Sequence, residues 1–127
     1  TMKTVRSKFA LITISLAVVF TQSCKDKDPS FAKVFVRSSS NELLTDARVV
    51  IIADVEDNES DMEYVDTLNT NSSGFAEFNL SEYYDQVGKS ITVAKFDIIC
   101  RKSGLEGTGT IRTRVNTTAV ETIHISQ

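Results

Sequence analysis

"TNSSGFAEFNL", residues 70–80, joins a cluster of turn-forming residues to a short apolar alternation. The cluster ends in Gly74, which can adopt the positive φ that a tight hairpin turn demands. Beyond the turn, Ala76 and Phe78 lie on one face of the predicted strand, because side chains alternate along a β-strand. The stretch therefore predicts a turn that leads into a half-buried strand.

Six further segments have the composition of strands. They are rich in β-branched and aromatic residues and are separated by Gly, Asn and Ser, which is typical of an all-β sandwich. The predicted strands are 31–37, 47–54, 62–68, 75–80, 90–99, 109–115 and 119–126. Only "SEYYDQVG" (81–88) predicts a helical turn, with Ser81 as its cap and Gly88 at its end. No helix is long enough to connect parallel strands, so we expect one antiparallel sandwich of about seven strands over residues 31–127.

Three stretches, 43–51, 70–80 and 88–98, resemble the transthyretin-like, or carboxypeptidase-regulatory-like, β-sandwich family. The matching residues are Leu44, Ala47, Val49 and Ile51, followed by Thr70, Gly74, Ala76 and Phe78. The resemblance covers most of residues 31–126. It implies a single domain with an immunoglobulin-like, Greek-key arrangement of strands.

The N-terminal segment has the parts of a secretory signal. Lys3, Arg6 and Lys8 precede an uncharged run that extends from Phe9 to Ser23. As a helix, the apolar part 9–20 would reach about 18 Å at 1.5 Å per residue, which is short of the roughly 30 Å hydrocarbon core. We therefore predict a signal segment over residues 1–23 and no permanent membrane span there.

The junction between Ser23 and Cys24 resembles the lipobox of bacterial lipoproteins, although Thr21 and Gln22 depart from its usual residues. The resemblance implies that Cys24 becomes the first mature residue and carries a covalent diacylglycerol thioether. Cys100 is then left without a partner and is predicted to be a small buried hydrophobe. A plain secretory signal and an uncleaved anchor are the alternatives.

Residues 24–30 are predicted to form a polar, lipidated tether. Lys25, Asp26, Lys27 and Asp28 resemble the export signal that sends lipoproteins of the Bacteroidota to the outer leaflet of the outer membrane. The implied location is the outer membrane, at the cell surface. The alternative is its periplasmic face.

The charge balance restricts the class of partner. The chain has 14 Lys and Arg and 17 Asp and Glu. Removal of residues 1–23 takes away three basic and no acidic residues, which leaves 11 against 17 and a formal charge of −6. Such a balance disfavours nucleic acid, which needs a basic footprint. The expected partners are the membrane, through the lipid, and an unknown protein or glycan.

Seven acidic residues lie between Asp54 and Asp66, in a predicted loop and the strand that follows it. Calcium prefers six to eight oxygen ligands, and the candidate ligands are Asp57, Asn58, Glu59 and Asp61. Their spacing does not follow the glycine-centred pattern of a known calcium loop. We therefore favour a solvated loop, with no cofactor other than the covalent lipid, and keep calcium as the alternative.

Two pairs of residues are candidates for partner binding. Tyr83 and Tyr84, on a predicted exposed turn, combine an apolar ring with a hydroxyl. A tyrosine at a sandwich corner often has a structural hydrogen bond to nearby backbone, so we expect a structural role for one of the two and leave the other open. Arg112 and Arg114 share one face of a strand that follows the glycine-rich segment 101–109. For this segment a flexible loop and a partner-binding edge are equally consistent with the sequence.

Catalysis is not predicted. His124 is the single histidine and is expected on an exposed or edge position, so neither a zinc site nor a Cys-His nucleophile can be assembled. The sequence thus favours a non-catalytic, lipid-anchored interaction or accessory module for protein or glycan partners. The alternative is a lipoprotein that binds calcium or a small ligand with the acidic loop 54–66.

Overall fold

The structure is a computed structural model that describes residues 28–126. The predicted signal segment, Cys24, Lys25, Asp26 and Lys27 lie outside the described residues. Asp28 is the first described residue and is exposed. Within the described range, no helix is long and apolar enough to cross a membrane.

Seven strands and one short helix form the domain, so the predicted all-β sandwich is confirmed. In chain order they are β1 (Phe31–Ser38), β2 (Arg48–Ala53), β3 (Tyr64–Asn69), β4 (Phe75–Asn79), α1 (Ser81–Val87), β5 (Val93–Lys102), β6 (Leu105–Arg114) and β7 (Thr118–Ile125). Each predicted strand overlaps an observed one. The largest difference is at β6, which begins four residues earlier than predicted.

The reason for this difference is a two-residue turn. Ser103 and Gly104 both have positive φ, at 52° and 79°, as a tight hairpin between β5 and β6 requires. The segment 101–109, for which the sequence is consistent with a flexible loop, is therefore mostly paired strand. Its glycines at 107 and 109 lie within β6.

The strands form two sheets. One has three strands in the order β4-β1-β7, and the other has four in the order β3-β2-β5-β6. All neighbouring pairs are antiparallel except β1 and β7, which run parallel along their whole length. The expectation of purely antiparallel strands is wrong for this one pair. Its connection is not a crossover helix but the rest of the domain, which passes through the other sheet.

The core lies between the sheets and is built from small aliphatic side chains and a few rings. Along β1, residues Ala32, Val34 and Val36 are fully buried, while the larger Phe31 and Phe35 face outward. The largest buried side chains come from other elements. They are Tyr83, Phe78, Phe96, Ile51, Leu80 and Ile98.

One side of the sandwich is closed where β6 approaches β7. A Cβ on Gly107 would collide with the main-chain carbonyl of His124, and Glu106 forms an isolated bridge with Ser126. On the opposite side, β3 and β4 are edge strands. There the Asp66 carboxylate accepts the main-chain N–H of Thr67 at 2.8 Å, which occupies one of the edge donors.

The described part of the predicted tether, residues 28–30, and the acidic loop lie at the same end of the sandwich, which we call the tether end. Phe31 opens β1 there and donates its N–H to the carbonyl of Thr117, while Val115 donates to the carbonyl of Thr92 just before β5. Helix α1 follows Asn79, which pairs with Phe31. The loop 54–63 leaves β2 at this end as well, because β2 and β5 are antiparallel.

Candidate binding surface

Asn58 fixes the acidic loop to the start of β5. Its side-chain nitrogen donates to the carbonyls of Asp54 and Lys95, each at 3.0 Å, and its side-chain oxygen accepts the N–H of Lys95 at 2.7 Å. The Asn58 amide thus satisfies the main-chain N–H and carbonyl of Lys95, as a neighbouring strand would. Its oxygen is committed to this bond, which argues against Asn58 as a calcium ligand.

The predicted acidic ligands do not converge. Asp57, Glu59 and Asp61 are exposed, and Asp57 lies 3.8 Å from the ammonium of Lys95. Within residues 28–126, no group of three or more His, Cys, Asp or Glu side chains is arranged to hold a metal ion. The acidic loop therefore has the character of a solvated surface segment that is attached at Asn58.

The loop does border a cleft of about 260 Å³. Asp57 and Glu59 line one side, and Lys95 and Arg112 belong to the strands that line the other. The acidic loop and the basic strand therefore meet at one surface depression. In the sequence their lining residues Glu59 and Arg112 are more than 50 positions apart. Its mixed charge suits polar ligands but favours neither sign.

Tyr83 and Tyr84 are both buried, so the prediction of an exposed tyrosine pair is wrong. Helix α1 covers the tether end of the core, and the Tyr83 ring packs edge-on against Tyr64 and Phe96 at 5.3 Å from each. The helix begins at Ser81 without a side-chain cap, contrary to the predicted role of Ser81. Gly88 ends it with φ of 96°, as predicted.

The two tyrosine hydroxyls differ in their partners. Tyr84 donates to the hydroxyl of Thr113 at 2.7 Å, and Thr113 donates in turn to the carbonyl of Ala94 at 3.3 Å. The Tyr83 hydroxyl has no hydrogen-bond partner among the described residues. Burial raises the pKa of both phenols. The bond to Thr113 offsets part of this rise for Tyr84, and the nearby Ser60 hydroxyl offsets part of it for Tyr83 without the geometry of a hydrogen bond. Tyr84 thus has the structural role expected for one of the pair.

Removal of each hydroxyl should therefore have opposite consequences. Tyr84→Phe is expected to lower the free energy of unfolding by about 1 kcal/mol, because Thr113 loses a buried partner. Tyr83→Phe should leave that free energy unchanged or raise it by up to about 1 kcal/mol, because an unpaired hydroxyl is costly to bury. Urea unfolding followed by circular dichroism measures both. An equal loss in the two variants would contradict the assigned partners.

The outer face of the four-stranded sheet has an apolar centre. Val50 of β2 lies between Thr67 of β3 and Ile99 of β5 in one row of paired residues. In the next row, Ile52 lies beside Val65, which is 62% exposed. Val50, Ile52 and Ile99 point away from the core, because their neighbours along β2 and β5 are buried. Thr67 and Val65 are the β3 partners of Val50 and Ile52 on the same face. The apolar surface is therefore open to contact.

Basic residues border this centre at both ends of the sheet. They are Arg48 and Arg101 at the end distant from the tether, and Lys95, Arg112 and Arg114 at the tether end. Arg112 and Arg114 are both exposed on β6, so the prediction that they share a strand face is confirmed. We call this surface, with its apolar centre and its five basic residues, the basic face.

The basic face concentrates charge of one sign in an acidic protein. Residues 28–126 contain nine Lys and Arg, of which five lie on this face. The acidic residues at outward positions of the same four strands are Asp97 and Glu106. This surface carries five positive and two negative side chains, in contrast to the net negative charge of the domain, and it adjoins the acidic loop at Lys95, which lies 3.8 Å from Asp57.

Cys100 and His124, the residues most associated with nucleophilic chemistry, lie in different environments, one in the core and the other on the surface. Cys100 is fully buried, and desolvation raises the pKa of its thiol to about 12. His124 is exposed on β7, as predicted, and its Nε2 lies 3.0 Å from the side-chain oxygen of Asn41. Cys100 therefore has the predicted character of a small core residue.

Sequence reasoning did not identify the centre of the basic face. Within "ARVVIIAD" (47–54), residues 49–53 form a continuous apolar run, which is typical of a strand buried on both faces. In the structure only one face of β2 is buried. The apolar run itself was the available signal, because a β-branched strand that is covered on one face only must expose the β-branched residues of its other face. Which face would be open depends on packing.

No protein-family model matches the chain, and no curated protein matches it. A β-sandwich supports many unrelated functions, so the fold by itself assigns none. Function is inferred below from the residues and their geometry.

Proposed function

We propose that this protein is a non-catalytic, lipid-anchored β-sandwich of the cell envelope that acts as an interaction module. The observation that carries the proposal is the basic face, which combines an apolar centre around Val50 and Ile99 with charged residues at its border. Stable protein interfaces have this organisation, with an apolar core inside a polar rim. The partner implied by charge complementarity is a protein surface with an apolar centre and an acidic rim.

A protein suits this surface better than a glycan. Sugar recognition commonly uses exposed aromatic rings, and the outward positions of the four-stranded sheet carry none. Tyr83 and Tyr84, the aromatic candidates for partner binding, are buried. A second copy of the chain is disfavoured, because a symmetric contact through this face would bring its arginines together.

The anchor is proposed from the sequence. The signal-like segment 1–23, Cys24 and the tether 24–30 belong to this part of the proposal, as does a transthyretin-like identity for the sandwich. In support of an anchor, Asp28 and Pro29 are exposed at the tether end, where the described part of the chain begins. The proposed location is the outer membrane at the cell surface, with its periplasmic face as the alternative.

A photo-crosslinking comparison tests the interaction surface. The photoreactive residue p-benzoylphenylalanine is placed at Val65 on the basic face, or at Val120 on the outer face of the other sheet, in cells that make the protein. The two positions are 62% and 57% exposed, so they are matched in accessibility. We expect a discrete protein adduct from position 65 and none from position 120.

Charge reversal provides the control for specificity. Arg48→Glu combined with Arg112→Glu should abolish most of the adduct from position 65, because an acidic rim on the partner would then be repelled. Equal adducts from both positions, or an adduct insensitive to charge reversal, would refute the basic face as the partner site. An adduct that resists protease but yields to glycosidase would identify a glycan instead and overturn the choice of a protein.

A further inference from the structure

Arg48 and Arg101 lie directly opposite each other on β2 and β5. Both side chains are at outward, exposed positions. Like charges that face each other across a strand pair destabilise it. The pair thus lowers the free energy of unfolding, so its contribution to the protein is more readily explained by binding than by stability.

The charge of this pair is only partly neutralised. Glu106 pairs with Arg101 in register, and one carboxylate oxygen accepts from its Nε at 3.2 Å and its Nη2 at 3.1 Å. Within residues 28–126, Arg48 forms no salt bridge. Asp46, two residues earlier, uses a carboxylate oxygen to accept from Asn69 at 3.0 Å. One guanidinium therefore retains its donors for an external acceptor.

The two arginines border a hollow whose other lining residues are apolar. Val50 and Ile99, the next outward pair along the two strands, complete the lining, and the hollow has a volume of about 150 Å³. A water molecule in the liquid occupies about 30 Å³, so the hollow accommodates a carboxylate with a short methylene stem but not a nucleotide or a sugar chain. The lining matches both parts of such a group, because a guanidinium binds a carboxylate and the apolar side chains pack against methylenes.

We propose that the hollow between Arg48 and Arg101 is a carboxylate subsite, which receives an acidic side chain of the protein partner. The inference deepens the proposed function and rests on it for the origin of the carboxylate. The Arg48 guanidinium binds the carboxylate through paired N–H donors, and Val50 and Ile99 pack against its methylenes. The subsite gives the acidic rim of the partner a fixed position on the face.

Short peptides test the subsite without the partner. The full chain, isolated from membranes and held in phosphatidylcholine nanodiscs, is labelled in its Ile and Val methyl groups and titrated with acetyl-Val-Glu-Val-amide. We expect saturable shifts of the Val50 and Ile99 methyl signals and none at Val120, on the opposite sheet. The neutral isostere acetyl-Val-Gln-Val-amide should bind about tenfold more weakly, because it loses a charge-assisted hydrogen bond.

Two variants separate the subsite from the charge of the whole face. Arg48→Gln should remove the preference for the Glu peptide, while Arg112→Gln, on the same face but outside the hollow, should preserve it. Equal binding of the two peptides, or an unchanged preference in Arg48→Gln, would overturn the subsite. Stronger competition by inorganic phosphate than by the Glu peptide would overturn its assignment to a carboxylate.

These results are independent of partner capture in cells. If the peptide preference is present but the crosslink at position 65 fails, the proposed protein interaction is wrong while the subsite stands. If the crosslink succeeds without a peptide preference, the partner binds the face by other contacts and the subsite is wrong.

Discussion

Gly107→Ala is expected to lower the free energy of unfolding by about 3 kcal/mol, at the upper end of the usual cost of overpacking. The added Cβ would meet the main-chain carbonyl of His124, which belongs to a paired strand and cannot move without disturbing β7. β7 is also the parallel neighbour of β1, so displacing it disturbs the three-stranded sheet. Urea unfolding of wild type and variant, followed by far-ultraviolet circular dichroism, measures the difference.

Gly109→Ala, two residues further along β6, is the matched control. Its Cβ would meet the terminal methyl of Ile123, the far end of a flexible side chain that can change rotamer. We expect a smaller loss, about 1 kcal/mol. Neither glycine has positive φ, so backbone strain does not contribute to the comparison. A loss for Gly107→Ala no larger than that for Gly109→Ala would mean that β6 and β7 are not in close contact there.

Cys24→Ser is expected to abolish incorporation of labelled fatty acid and to shift the protein from the membrane to the soluble fraction. The physical reason is that a covalent acyl chain contributes about 0.8 kcal/mol per buried methylene. Two or three chains therefore hold a small domain on a bilayer, and the serine variant has none. Metabolic labelling followed by fractionation gives both readouts.

Cys100→Ala provides the control for this experiment. Cys100 is buried in the core, so the variant should keep its label and its membrane fraction even if its stability falls. Retention of Cys24→Ser on the membrane would rule out lipid anchoring at that residue. Loss of label from both variants would indicate that processing depends on the folded domain and not on Cys24 alone.

The strands were predictable because their signal is local. Alternation, β-branched residues and the turn around Gly74 each depend on a few neighbouring residues, and Gly74 has the positive φ expected, at 82°. The same holds for the exposed faces of Arg112 and Arg114. Sheet order and the parallel pairing of β1 with β7 depend instead on contacts between residues about 87 positions apart, such as Phe31 and Thr118, which no local pattern encodes.

The tyrosines show why exposure is harder to predict than strand formation. Tyr83 and Tyr84 lie beside Glu82 and Asp85, so the local sequence is typical of a surface turn. The core nevertheless needs a cover at the tether end, and a seven-residue helix turns both rings inward to supply it. Similarly, the sequence makes Asn58 a candidate calcium ligand, because no local pattern shows that its side chain binds the main chain of Lys95, 37 residues away.

The parallel pairing of β1 with β7 also has a consequence for the order of folding. β1 is the central strand of its sheet and is the first to be synthesised, yet one of its two neighbours is the last. Contacts of such large sequence separation carry a high loop-closure entropy and slow the rate of folding. Until residues 118–125 are available, β1 can pair only with β4 and presents its other edge to any extended chain. The three-stranded sheet therefore stays incomplete until β7 is available, and during this interval the chain is most exposed to aggregation.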